Sequence, residues 1–133
     1  MNIRRSNLML LFAAVAVALS IPGRASASAI FIGLDDNGHE FTLDRGDAIV
    51  ISLPATSGTG YTWQAEPVTG GLVKQIGDTA FERDSAMPGA SGHQIFRYAV
   101  EGRGSGMLKM RYLRPWEKDK PPAKVFRITL TVQ

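Results

Sequence analysis

Residues 123–132 read Ala-Lys-Val-Phe-Arg-Ile-Thr-Leu-Thr-Val, and from Phe126 onward every second residue is large and apolar. Phe126, Ile128, Leu130 and Val132 therefore share one face of an extended chain, while Arg127, Thr129 and Thr131 share the other. That is the pattern of a strand covered on one side only. Working outward, the same period recurs in Met107–Tyr112 (Leu108, Met110, Tyr112) and in Gln94–Val100 (Phe96, Tyr98, Val100). It recurs again in Tyr61–Ala65, in Ala48–Leu53 (Ile49, Ile51, Leu53) and in His39–Leu43 (Phe41, Leu43). Ile30–Leu34 and Leu72–Ile76 read as shorter strands. Between them stand turn formers: Asp35-Asp36-Asn37-Gly38, whose Asn-Gly predicts a hairpin; Asp44-Arg45-Gly46-Asp47; Thr69-Gly70-Gly71; and Gly102, Gly104 and Gly106. Many short strands at this spacing, with no helical period, predict an all-β sandwich in a single domain.

The N-terminus follows different rules. Arg4 and Arg5 precede an uncharged apolar run, Leu8–Leu19, and Ala25-Ser26-Ala27 supplies small residues at a cleavage position. These are the three regions of a signal peptide, and the run is short for a resident membrane helix. The expected division is a signal peptide over 1–27 and a mature domain over 28–133, with cleavage before Ile30 as the second choice. Export to the periplasm or beyond follows from that reading. The formal charge of +3 is then carried by Arg4, Arg5 and Arg24, which leaves twelve basic and twelve acidic residues in 28–133. Such a balance argues against a nucleic-acid partner. The chain has no cysteine, so it offers no disulfide, thiolate nucleophile or thiolate metal site.

A search for catalytic chemistry finds little. His39 and His93 both border turns, and their spacing gives no support to a metal site. Ser91 in Gly89-Ala90-Ser91-Gly92 lacks the second glycine of a nucleophile elbow, because position 93 is His. The glycines at 102, 104 and 106 are followed by no Lys-Ser/Thr pair, so a hairpin turn explains them better than a phosphate loop. The expectation is a non-enzyme without a metal or cofactor.

Three loops invite a different reading. In Leu53–Trp63 the tip from Ala55 to Gly60 carries no bulky side chain and could enter a narrow cleft backbone-first. An ordinary flexible connection would look the same. Pro88-Gly89-Ala90-Ser91-Gly92-His93 could lie flat against a partner, or be a plain turn. In Tyr112-Leu113-Arg114-Pro115-Trp116-Glu117, Pro115 restricts the directions open to Trp116. That indole is either a binding anchor or a cap folded back on the sandwich.

Taken together and in this order, the loops resemble those of the chagasin family of cysteine-protease inhibitors. The family carries Asn-Pro-Thr-Thr-Gly-Tyr/Phe, then a Gly-rich loop, then Arg-Pro-Trp/Tyr. Thr59-Gly60-Tyr61 matches the end of the first motif, Gly89–Gly92 is similar to the second, and Arg114-Pro115-Trp116 matches the third in full. The resemblance implies an immunoglobulin-like antiparallel β-sandwich with three inhibitory loops at one end. It also implies a papain-like cysteine protease as the partner; a monomer is the default expectation, since exposed loops leave no evident self-association surface. The residues it implicates in protease binding are Thr56, Ser57, Gly58, Thr59, Gly60 and Tyr61, then Gly89, Ala90, Ser91 and Gly92, then Arg114, Pro115 and Trp116. Tyr61 and Trp63, sharing a face, read more as core than as contact. The chain departs from the family at Thr56-Ser57-Gly58, where Asn-Pro-Thr is usual. Losing a proline and gaining a glycine predicts a looser first loop, at a cost of ~1 kcal/mol on ordering. The competing class is an exported binding module, for a glycan, a peptide or an envelope protein, that inhibits nothing.

Overall fold

The period-two alternation becomes nine strands in the computed structural model, which describes residues 27–133. The expected signal peptide, apart from Ala27, lies outside the described residues. The strands are β1 (Ala29–Gly33), β2 (Glu40–Leu43), β3 (Ala48–Thr56), β4 (Thr62–Ala65), β5 (Val73–Gln75), β6 (Ala80–Arg83), β7 (Ser91–Val100), β8 (Gly104–Leu113) and β9 (Lys124–Val132). They form two sheets. One runs β1-β3-β7-β5, with β6 also paired to β7, and the other runs β2-β9-β8-β4. The result is an immunoglobulin-like sandwich, as the sequence led us to expect.

The inward residues are those that the alternation selects. Ile49, Ile51 and Leu53 from β3 meet Leu108, Met110, Phe126, Ile128 and Leu130 from the opposite sheet, and all are fully buried. Each such side chain contributes about 1.5–3 kcal/mol by leaving water. A one-residue slip in any of these strands would turn the whole set outward, so register is firmly specified.

Three details differ from the sequence reading. The sheets are mixed rather than purely antiparallel, because the edge strands β1 and β2 run parallel to β3 and β9. Asn37-Gly38 joins β1 to β2, which lie in different sheets, so it closes no hairpin. Instead the Asp36 carboxylate accepts the Gly33 N–H (2.9 Å) to shape a 3-10 turn over Leu34–Asp36. Asn37 then accepts the Arg127 N–H (2.9 Å) and Gly38 donates to the Arg127 carbonyl (2.7 Å), carrying the chain from one sheet to the other. Lastly, β3 runs on through Pro54 to Thr56, and β7 begins at Ser91. Pro54 is tolerated there because β1 has ended opposite Ser52, which leaves one flank of β3 unpaired.

The two sheets are also stitched by polar groups near one end. Buried Gln94 of β7 accepts the Trp63 N–H (2.8 Å) and donates to the Thr62 hydroxyl (3.0 Å), satisfying the open edge of β4 across the sandwich. The Trp63 indole N–H donates to the Pro54 carbonyl (2.9 Å). These bonds fix the ends of β3 and β4, from which the first candidate loop springs.

Candidate functional site

The loop between β3 and β4, residues 57–61, turns on two glycines in the left-handed region, Gly58 (φ 83°) and Gly60 (φ 84°). Thr59 holds the turn from within, since its hydroxyl donates to the Thr56 carbonyl (2.9 Å) and accepts the Tyr61 N–H (3.3 Å). At the base, the Thr56 N–H donates to the Tyr112 hydroxyl (3.2 Å).

The β6–β7 loop is built around Met87-Pro88-Gly89-Ala90. The Ala90 N–H donates to the Met87 carbonyl (3.1 Å), and Gly89 has φ 74°. Proline followed by a positive-φ glycine at the central positions makes this a type II turn. The β8–β9 loop opens with another turn, Arg114-Pro115-Trp116-Glu117, closed by the Glu117 N–H on the Arg114 carbonyl (3.0 Å). No non-glycine residue among those described has positive φ, so this turn is type I, with Pro115 at its favoured position.

The structure brings the three loops together. The Ser57 hydroxyl donates to the Ala90 carbonyl (3.1 Å), which joins the first loop to the second. Arg114 Nε donates to the Thr59 carbonyl (3.0 Å), which joins the first loop to the third. The indole of Trp116 lies directly on Gly60, where an added Cβ would fall 2.2 Å from Cη2. Trp116 is nevertheless 66 % exposed. It neither caps the sandwich nor stands free; it rests edge-on against the glycine of the first loop and presents the rest of its surface outward.

An aromatic column supports this arrangement from below. Trp63, buried, packs on Tyr112 with ring centroids 4.9 Å apart, and Tyr112 stacks on Tyr61 at 5.3 Å. The Arg114 guanidinium then covers Tyr61 at 4.5 Å from its centroid. Trp63 is core, as expected, whereas Tyr61 is half-buried and serves as the platform for Arg114. Glu117 continues the chain of contacts outward, 3.7 Å from Arg114 and 2.8 Å from Lys120. The hydrogen bond from Lys120, with Arg114 adding to it, lowers the Glu117 pKa below the usual glutamate range.

Two expectations need correction. Gly92 is no part of a presenting loop: it is buried in β7, where a Cβ would fall 2.3 Å from the Glu82 carbonyl oxygen and 2.6 Å from the Phe81 ring. Its lack of a side chain lets β6 lie across β7. Ser91 likewise belongs to β7, paired with Thr56, so the tip of the second loop is Met87–Ala90. The expectation of a loose first loop is also offset. Ser57, where the family usually has proline, gives a hydroxyl that ties the loop to its neighbour, and Thr59 and Arg114 restrain the rest. The sequence reading did not single out Met87, which is 71 % exposed at that tip, nor the Tyr112 hydroxyl. An apolar Met within a polar loop was the visible clue to the first; the inward position of Tyr112 disguised the second.

No group of three or more His or carboxylate side chains is placed to hold a metal among the described residues. His93 and Asp84 do meet, at 3.1 Å, but on the exposed flank of the second loop.

The sequence model of the chagasin family of peptidase inhibitors matches residues 42–130, which spans all three loops. This chain belongs to the chagasin family. It is 28% identical to chagasin from Trypanosoma cruzi over 98 residues, covering 71% of this chain and 89% of that protein. In fold it is similar to a cysteine protease inhibitor from Entamoeba histolytica, with a TM-score of 0.72 at 19% identity, over 80% of this chain and 97% of the other. It is also similar to PbICP-C, solved in complex with falcipain-2, with a TM-score of 0.53 at 18% identity, over 84% and 95% of the two chains. Chagasin-family proteins are inhibitors and not enzymes, in keeping with the absence of a catalytic group in the sequence reading.

Proposed function

We propose that this chagasin-family protein is a reversible, tight-binding inhibitor of papain-like cysteine proteases, and that its three bound-together loops fill the catalytic cleft. The observation that carries the reading is the seat of Trp116 on Gly60: it fixes an exposed indole beside a backbone tip narrow enough to enter a cleft. Chagasin and PbICP-C lend support, the second through its complex with falcipain-2.

In this reading Gly58-Thr59-Gly60 enters the cleft. Both glycines hold the tip out of the extended conformation that a protease needs in order to cut, so the tip blocks without being a substrate. The Met87–Ala90 turn flanks it on one side, and Arg114-Pro115-Trp116 on the other. An interface of about 1,600 Å² with loops already held in place supports nanomolar affinity, near −12 kcal/mol. The side-chain tethers matter because restraint present in the free protein is restraint that binding need not impose. Export belongs to the same proposal, supported by Arg4, Arg5 and the apolar run Leu8–Leu19.

The test is a titration of residues 28–133 against papain with a fluorogenic substrate, with a serine protease as control. Saturable inhibition of papain alone is expected. A folded domain that leaves papain untouched at micromolar concentration would instead favour a sandwich that binds something else.

A further inference from the structure

The charge balance of the domain conceals a separation. Residues 103–127 hold eight of the twelve basic residues of 28–133 and only two of its twelve acidic ones. That segment is β8 with the residue before it, the third loop and the start of β9, so the cations gather on one sheet and on the loop that joins its two strands.

On the outer face of that sheet Lys109 stands directly opposite Arg127, and Arg111 follows two residues along β8. Like charges placed opposite one another destabilise a strand pair. Compensation is thin. Glu66 lies 3.6 Å from Lys109 and 3.9 Å from Arg111, and among the described residues Arg127 joins no ion pair. The stripe then rises into the third loop, where Arg111, Arg114, Lys118 and Lys120 line a recess of about 240 Å³ whose one acid is Glu117. From Lys109 to Arg114 the strand covers roughly 17 Å. On the other flank of the site, the end of β6 and the start of the second loop read Glu82-Arg83-Asp84, with Asp84 3.1 Å from His93. The loop end is therefore strongly basic on the Trp116 side and close to balanced on the Met87 side.

We propose that the outer face of β8 and β9, continuous with the Arg114–Lys120 loop, is an electrostatic docking surface for proteases whose cleft carries acidic residues on that side. The proposal rests on the inhibitory reading above and adds the class of target and its orientation. Continuity with the Trp116 loop favours a protease over a separate ligand, because the field and the three loops point to the same end of the molecule. Lys109 and Arg127 lie below the loops, on the side of the sandwich, so they act mainly through space. Such charges speed encounter more than they slow departure.

The experiment compares association and dissociation rates of residues 28–133, which carry every strand of both sheets, with two papain-like proteases. One has an acidic and one a basic surface beside the cleft. The variant Lys109→Gln/Arg127→Gln is set against Lys74→Gln/Arg97→Gln on the opposite sheet, with thermal unfolding to confirm that both fold. At low salt the first variant should associate with the acidic protease about five- to tenfold more slowly, with dissociation unchanged. The second should match the parent. The difference should vanish at 0.5 M salt, where screening acts over about 4 Å. Tight inhibition with an unchanged association rate overturns the docking surface and leaves the inhibitory reading intact. Loss of retention on dextran sulfate without any change toward the protease overturns it too, and gives the face to a polyanion. A parent that inhibits neither protease overturns both.

Discussion

The indole of Trp116 sits where a side chain at position 60 would have to go: a Cβ on Gly60 would lie 2.2 Å from Cη2 and 2.9 Å from Cζ2. The third loop is thus positioned by an absence in the first, and the glycine is required twice over. Its backbone is also left-handed, with φ 84°. Gly60→Ala should cost about 1–2 kcal/mol in backbone strain alone and drive the indole off its seat. Inhibition of papain should weaken at least tenfold while circular dichroism stays that of a β-sandwich. An alanine variant with parental inhibition would show that the seat is irrelevant to binding.

Trp116→Ala separates the anchor from the seat. The residue is 66 % exposed and supports no core packing, so unfolding temperature should move little. Loss of a central Trp anchor costs ~2–4 kcal/mol in binding, so the inhibition constant should rise at least tenfold. If Gly60→Ala acts by displacing the indole, the two changes must be strongly non-additive, and the double variant should be little worse than Trp116→Ala. Simple addition in the double-mutant cycle would refute that coupling.

The architecture was largely legible in the sequence because it follows from a local property, the alternation of apolar residues. Ile49-Ile51-Leu53 and Phe126-Ile128-Leu130 face the core as that alternation demands. What was not legible depends on partners far along the chain. Asn37-Gly38 has every local feature of a hairpin, yet its bonds go to Arg127, ninety residues away. Gly92 read as a loop glycine because nothing nearby in sequence reveals Phe81 lying across it. The loops themselves were visible through their motifs, but the contacts that unite them, Ser57 with Ala90 and Arg114 with Thr59, join side chains to backbone carbonyls, and composition carries no trace of that.

Gln94 makes a prediction about stability. It is the buried amide that satisfies the Trp63 N–H and the Thr62 hydroxyl across the two sheets. Gln94→Leu keeps the volume near constant but leaves a buried donor on the β4 edge without a partner, at about 1–3 kcal/mol for that group. Unfolding temperature should fall by about 10 °C in a domain of this size. Gln64→Leu, an exposed position on β4, should stay within about 0.5 kcal/mol of the parent and serves as the control. Equal effects at the two positions would mean that the cross-sheet bonds contribute nothing.

Tyr98 sets the alkaline limit. Its ring lies in the core at 5 % exposure, and burial pushes the phenol pKa up to about 12 from its ordinary 10.0. The unfolded chain ionises this group first, so as pH rises through the unfolded value the unfolded state gains relative to the folded one. The contribution of Tyr98 is therefore complete below pH 10 and falls away between about 10 and 12, by about 2–3 kcal/mol in all. Stability measured by urea denaturation should decline over that window. Tyr98→Phe removes the ionisable group without changing the ring, and its curve should be flatter across the same window, crossing the parent's if the parent starts higher. A Phe variant that loses stability as steeply as the parent would assign the alkaline limit to some other group.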